Sequence, residues 1–89
     1  MQQRLDKWLW FARVARTRTL AAKLVAEGNV RVNARRVKTP AKAIGPGDVL
    51  TIALHYQVRV LRVVSPGARR GGSTEASRLF EELMPGPEL

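Results

Sequence analysis

With 89 residues, of which 45% are apolar and 26% charged, the chain is too short for two independent cores and too apolar for a disordered basic tail, which leaves one folded domain. Its net charge of +9 comes entirely from residues 1–44, which hold eleven Lys and Arg against Asp6 and Glu27, and such an excess points to a polyanionic partner. The lack of cysteine excludes disulfides and thiolate metal sites, and the short apolar run Trp8–Ala12, followed by Arg13 and Arg16, excludes a signal-peptide core or a membrane span there, so a cytoplasmic protein is expected.

Leu5, Trp8, Leu9 and Ala12 recur at i, i+3, i+4 and i+7, which predicts a helix over 4–15 with that stripe in the core. Arg4, Lys7 and Phe11 fall on a neighbouring stripe, a basic face with an aromatic in it, and Asp6 reads as a first-turn acid favoured by the helix dipole. Trp10 points away from the core stripe. Two readings of it stay open, a platform for an unpaired base and a residue covered by the last helix. Thr17 or Thr19 can cap a second helix through Leu20, Ala21, Ala22, Leu24 and Val25, closed by Gly28 in the left-handed conformation. Arg16 and Arg18 lie at the helix junction, where free amides and two guanidinium forks suit a phosphate, although Arg18 pairing with Glu27 is the alternative.

After Asn29 the period changes to two, with Val30 and Val32 on one side of a strand and Arg31 and Asn33 on the other. The segment Asn33-Ala34-Arg35-Arg36 is expected to turn the chain back toward Val37, with Ala34 standing where a tight hairpin prefers glycine. Asn33 reads equally as an RNA contact and as a turn former. Pro46-Gly47-Asp48 is a turn leading into a strand at Val49–Ile52, and another strand is predicted at Val58–Val64. The proline- and glycine-containing stretch 65–74 reads as a mobile loop in which Arg69 and Arg70 could add an RNA contact. It divides the chain into a domain at 1–64 and a segment at 65–89 that packs on the domain or trails it. That segment is expected to hold a short helix, capped by Ser73 or Thr74 and striped by Leu79, Phe80 and Leu83, before Pro85.

No catalytic constellation is visible. His55 is the single histidine and has no neighbouring carboxylate in sequence, Asp48 is explained as a turn residue, and no glycine-rich phosphate loop of the Lys-Ser/Thr type occurs. The chain therefore reads as a non-enzyme without metal, cofactor or small-molecule substrate. What remains is a scaffold of cations in which Arg outnumbers Lys twelve to four, the side chain suited to bidentate phosphate contact.

Arg4-Leu5-Asp6-Lys7-Trp8-Leu9, then Thr17-Arg18, Ala22, Gly28, Val30, Val32-Asn33 and Gly47-Asp48 resemble the S4 RNA-binding domain. The resemblance implies an α+β fold of the αL type, with two N-terminal helices packed on a small, mainly antiparallel curved sheet, here followed by a short C-terminal helix. It also implies that structured RNA is read by the first helix, the start of the second and the following strand. The longer run Arg4 to Arg13, with Thr74-Glu75-Ala76-Ser77 leading into Leu79-Phe80-Glu81-Glu82, is similar to the bacterial ribosome-associated fifteen-kilodalton heat-shock proteins. That likeness implies ribosomal RNA and tRNA as partners, on large ribosomal subunits that retain a nascent chain. The long basic C-terminal helix of the better-known members has no counterpart up to Leu89, so its contacts are not expected. The expected RNA-binding residues are Arg4, Lys7, Arg16, Thr17, Arg18, Lys23, Arg31, Asn33, Arg35 and Arg36, on a monomer that engages no membrane. The alternatives are a general basic protein for structured RNA or DNA, and an adaptor for an acidic protein.

Overall fold

The computed structural model describes residues 1–85. A two-residue strand, β1 (Gln3–Arg4), leads directly into α1 (Leu5–Phe11). This helix is shorter than the predicted span because Arg4 pairs with Ala43 as a strand residue and the chain leaves the helix at Ala12. Arg13 takes φ 62, and the amides of Arg13 and Val14 return to the carbonyls of Trp10 and Leu9 at 3.1 and 2.9 Å, a closure that usually employs glycine. Helix α2 (Arg18–Ala26) begins at Thr17, whose hydroxyl accepts the Leu20 amide at 3.0 Å. It ends in the same closure, with Gly28 at φ 82 and the amides of Gly28 and Asn29 on Val25 and Leu24.

The strands β2 (Val30–Val32), β3 (Arg35–Val37), β5 (Val49–Ala53), β6 (Val58–Val63) and β7 (Phe80–Pro85) form an antiparallel sheet in the order β3-β2-β5-β6-β7, while β4 (Ala43–Ile44) pairs with β1. Alternation along the strands sends Val30, Val32, Leu50, Ile52, Leu61 and Val63 inward, where they meet Leu5, Trp8, Leu9 and Val25 of the two helices in one core. Trp8 is fully buried, stands edge-on to Phe80 with ring centroids 6.2 Å apart, and donates its indole N–H to the Ser65 carbonyl at 2.8 Å. The α+β architecture is the expected one.

Several local expectations change. Asn33 and Ala34 alone make the β2–β3 turn, both left-handed at φ 51 and 73, so Arg35 and Arg36 belong to β3 rather than to the turn. The predicted last helix is α3 (Ser73–Ser77), five residues with Gly72 at its N-cap and no side-chain cap from Ser73 or Thr74. The stripe Leu79, Phe80 and Leu83 lies outside it: Leu79 is buried in the connection and β7 follows, bulged against β6 at Val60/Leu61. So short an apolar pattern fits either element, and the strand wins because it sets Glu81 and Glu82 against Arg62 and Arg59 of β6. The loop read as mobile is fastened to α1 and its closing turn. Arg13 Nε donates to the Gly71 carbonyl at 2.9 Å, Arg70 Nε to the Trp10 carbonyl at 3.1 Å, and Gly67, at φ 73, leaves room for Phe11 and Leu79 where a Cβ would lie 3.1 and 3.2 Å from them. Among the described residues no helix is long and apolar enough to cross a membrane.

Candidate nucleic-acid interface

The two halves of the chain handle their charges differently. In the second half Arg59 forms a bidentate pair with Glu82 at 2.7 and 2.8 Å, Arg62 pairs with Glu81, and Arg69 with Glu75. The Arg59 hydrogen bond holds the Glu82 carboxyl below its ordinary range. In the first half Asp6 and Glu27 are the only acids, so most cations go without one. Among the described residues Lys7, Arg13, Arg16, Arg31, Arg35, Arg36, Lys38 and Lys42 of the first half form no ion pair, and in the second half the same holds for Arg70 and Arg78.

Asp6 is more than a first-turn acid. It is 3% exposed, and its carboxylate accepts Arg4 Nε and Nη2, both at 3.0 Å, and the Lys7 amide at 2.8 Å, while Arg18 Nε lies 4.0 Å away. The side chains of Arg4 and Arg18 stay about half exposed, at 47% and 46%. One buried carboxylate thus fixes the Arg4 guanidinium by two hydrogen bonds and lies within ion-pair range of that of Arg18, at the starts of two helices, with both side chains about half exposed. The hydrogen bond to Asp6 raises the Arg4 pKa above the ordinary guanidinium range.

The first turn of α1 also anchors the connection that follows β3. The amides of Leu5 and Asp6 donate to the carbonyls of Lys42 and Pro40 at 2.9 and 3.0 Å, which brings Lys42 beside the α1 start. Between this connection and the β2–β3 hairpin lies a cleft of about 600 Å³ bordered by Arg35, Arg36, Lys38 and Lys42, with Val32, Val37 and Thr39 between them and no carboxylate. A concave wall with charges of one sign concentrates the field where an anion would enter.

The ten predicted residues do not form one continuous patch. Thr17 caps α2, leaving the Arg18 and Thr19 amides without an acceptor among the described residues, next to the Arg18 side chain. Arg16 runs the other way, into a groove of about 380 Å³ shared with Lys23, Leu20, Leu24 and Leu54. Lys23 itself lies 4.0 Å from Glu27, the acid that Arg18 does not meet. Cross-strand register puts Arg35 on the Val32 face of the hairpin, and Arg31 opposite Arg36 on the other face. Asn33 serves the turn: Oδ1 accepts the Val49 amide at 2.9 Å and Nδ2 donates to Asp48 at 3.0 Å. Lys7 is half-buried with Nζ 5.9 Å from the Phe11 ring centroid, but Phe11 is buried rather than exposed on a basic face.

Trp10 is half-buried, and among the described residues no C-terminal helix lies over it: the expected one ends at Ser77 and gives way to β7. The Arg70 guanidinium sits 5.8 Å from the Trp10 ring centroid, while Arg69 pairs with Glu75 at the surface and stays 73% exposed. Lys38, Lys42 and Asp6 were not among the predicted contacts. Asp6 carried a signal, as an acid between two cations in a half that holds only two acids. Lys42 carried none, because its position depends on the pairing of β1 with β4.

Residues 3–50 match the family model of the S4 domain. The chain is 38% identical over 81 residues to the heat shock protein 15 homolog of Aeromonas salmonicida, which covers 91% of this chain and 61% of that protein. It is 40% identical over 52 residues to the small ribosomal subunit protein uS4 of Staphylococcus haemolyticus, covering 58% of this chain and 26% of that one. The solved structure of Vibrio cholerae heat shock protein 15, described as trimeric, superposes with a TM-score of 0.86 at 34% identity, over 92% of this chain and 82% of that one. The chain spans about 61% of the length of the curated Aeromonas relative.

Proposed function

The chain belongs to the S4 domain family, among its heat shock protein 15 members, and from that premise we propose that it is a non-catalytic RNA-binding protein of the cytoplasm acting on structured ribosomal RNA. The observation that carries this reading is the division of charge. Three of the five cations of the second half, Arg59, Arg62 and Arg69, are paired with acids, against three of the eleven in the first, where Arg35, Lys38 and Lys42 converge on one acid-free cleft and the side chains of Arg4 and Arg18 stay about half exposed. Unpaired cations repel one another, and phosphates offset that repulsion with release of counterions. The Arg4 fork fixed by Asp6 and the Arg18 fork beside it, together with the α2 amides, would position a backbone rather than read bases. The pattern supports recognition of RNA shape.

The finer target is the large ribosomal subunit retaining a nascent chain on tRNA, in a stress response. Crosslinking in cells followed by sequencing of the bound RNA tests it. Enrichment of large-subunit RNA and tRNA supports the assignment, and a scatter over messenger RNAs refutes it. Competition between structured RNA and duplex DNA of equal length separates the DNA-binding alternative, with RNA expected to win. We take the acting unit to be a monomer; a sedimentation run at working concentration that finds trimers, as in the description of the Vibrio relative, would overturn that.

A further inference from the structure

On the sheet face turned away from the helices, Arg31 of β2 and Arg36 of β3 stand directly opposite one another. Like charges so placed destabilise a strand pair, and neither has an acidic partner among the described residues. Arg31 is paired on its other side with Thr51, and Ala53 with Val58, so a floor of short side chains continues from the two arginines across β5 to β6. These residues and the end of α2 enclose a shallow cleft of about 300 Å³. Just beyond the Ala53–Val58 pair the chain turns through His55 and Tyr56, held by the Leu54 amide on the Gln57 carbonyl at 2.8 Å. Tyr56 is 87% exposed; the His55 ring stands against it, 4.5 Å between centroids at 81°, and its outer surface is open.

We propose that this face is a second nucleic-acid contact that takes a single-stranded stretch of RNA, with phosphates on Arg31 and Arg36 and an unpaired base stacked on Tyr56. The proposal rests on the RNA-binding function above and adds a second element on the face of the hairpin opposite Arg35, joined to the first cleft through Arg36, which borders both. Charge complementarity selects a polyanion, and the exposed ring selects one that offers flat faces. A duplex keeps its base faces stacked on one another, whereas a single strand presents them, and stacking on an aromatic tolerates any base. The short side chains of Thr51, Ala53 and Val58 leave room for the sugar and base between the cationic end and the aromatic end.

The test compares a bare RNA hairpin stem with the same stem carrying a short single-stranded tail, by anisotropy titration of the full chain. In the wild type the tail should tighten binding on the order of tenfold, the effect of about one base-aromatic stack. Tyr56→Ala should lose that gain while keeping bare-stem affinity, and Tyr56→Phe should retain it. Val58→Glu should abolish the gain and Val58→Lys preserve it, a contrast that a packing defect would not produce. A tail that gives the wild type no gain, or a gain indifferent to Tyr56→Ala and Val58→Glu, overturns the site while bare-stem binding upholds the broader function. Failure to bind either RNA refutes both. Loss of the gain to polyglutamate as readily as to polyuridine would assign the face to acidic proteins and likewise overturn the proposal.

Discussion

Replacing Asp6 by alanine separates two accounts of the cation cluster. If the cluster works as a diffuse positive field, removing a carboxylate adds one unit to the net charge of +9 and RNA binding tightens. If Asp6 works by fixing Arg4 and Arg18, binding weakens although the protein becomes more positive. The carboxylate accepts three hydrogen bonds, two of them from Arg4, and is 3% exposed. Because Arg4 is half exposed and can rehydrate, the stability loss should be about 1–3 kcal/mol, below the 3–5 kcal/mol of breaking a fully buried pair. Releasing two arginine side chains that binding must then order costs about 0.5–1.5 kcal/mol each, which corresponds to RNA affinity on the order of tenfold weaker. Anisotropy titration with a ribosomal RNA hairpin, at a temperature where a urea melt shows the variant folded, reads this directly. Equal or tighter binding by the folded variant refutes the positioning role.

Ala34 occupies a left-handed position at φ 73, so Ala34→Gly should stabilise the protein by about 0.5–1 kcal/mol in denaturant melts, the relief of strain exceeding the added unfolded-state freedom. Glu82→Gln should cost about 1–2 kcal/mol at neutral pH by weakening the bidentate Arg59 pair. Because the folded-state pKa of Glu82 is lowered, that contribution is present above the unfolded value of about 4.3 and is lost as the pH falls through the folded value, so the two melts should converge in acid. Reversing Arg35 and Lys42 together to Glu should reduce RNA affinity by at least an order of magnitude with a melt close to wild type, whereas Arg62→Gln, on a cation already paired with Glu81, should leave affinity unchanged.

Signals confined to a few neighbouring residues were readable in the sequence. Thr17 and Gly28 bound α2 through local hydrogen bonds, and the alternation about Arg31 marks β2 without reference to anything distant. Features set by distant chain were not. Phe11 reads as exposed on a single-stripe helix, but the loop around Gly67 covers that side of α1, so the one-face assumption fails. β7 depends on Arg59 and Arg62, about twenty residues upstream, and its own apolar spacing suits either element. For the interface, residue type was legible and direction was not. Arg35 and Arg36 are adjacent, yet strand geometry sends them to opposite faces, and Asn33 is drawn into the turn by Asp48 and Val49.

The account stands most directly on the salt dependence of binding. If about five cations of the first half neutralise phosphates, the logarithm of the association constant for a ribosomal RNA fragment should fall against the logarithm of salt with a slope of magnitude on the order of 3 to 5. A slope near zero would contradict it, because binding would then owe nothing to the unpaired cations.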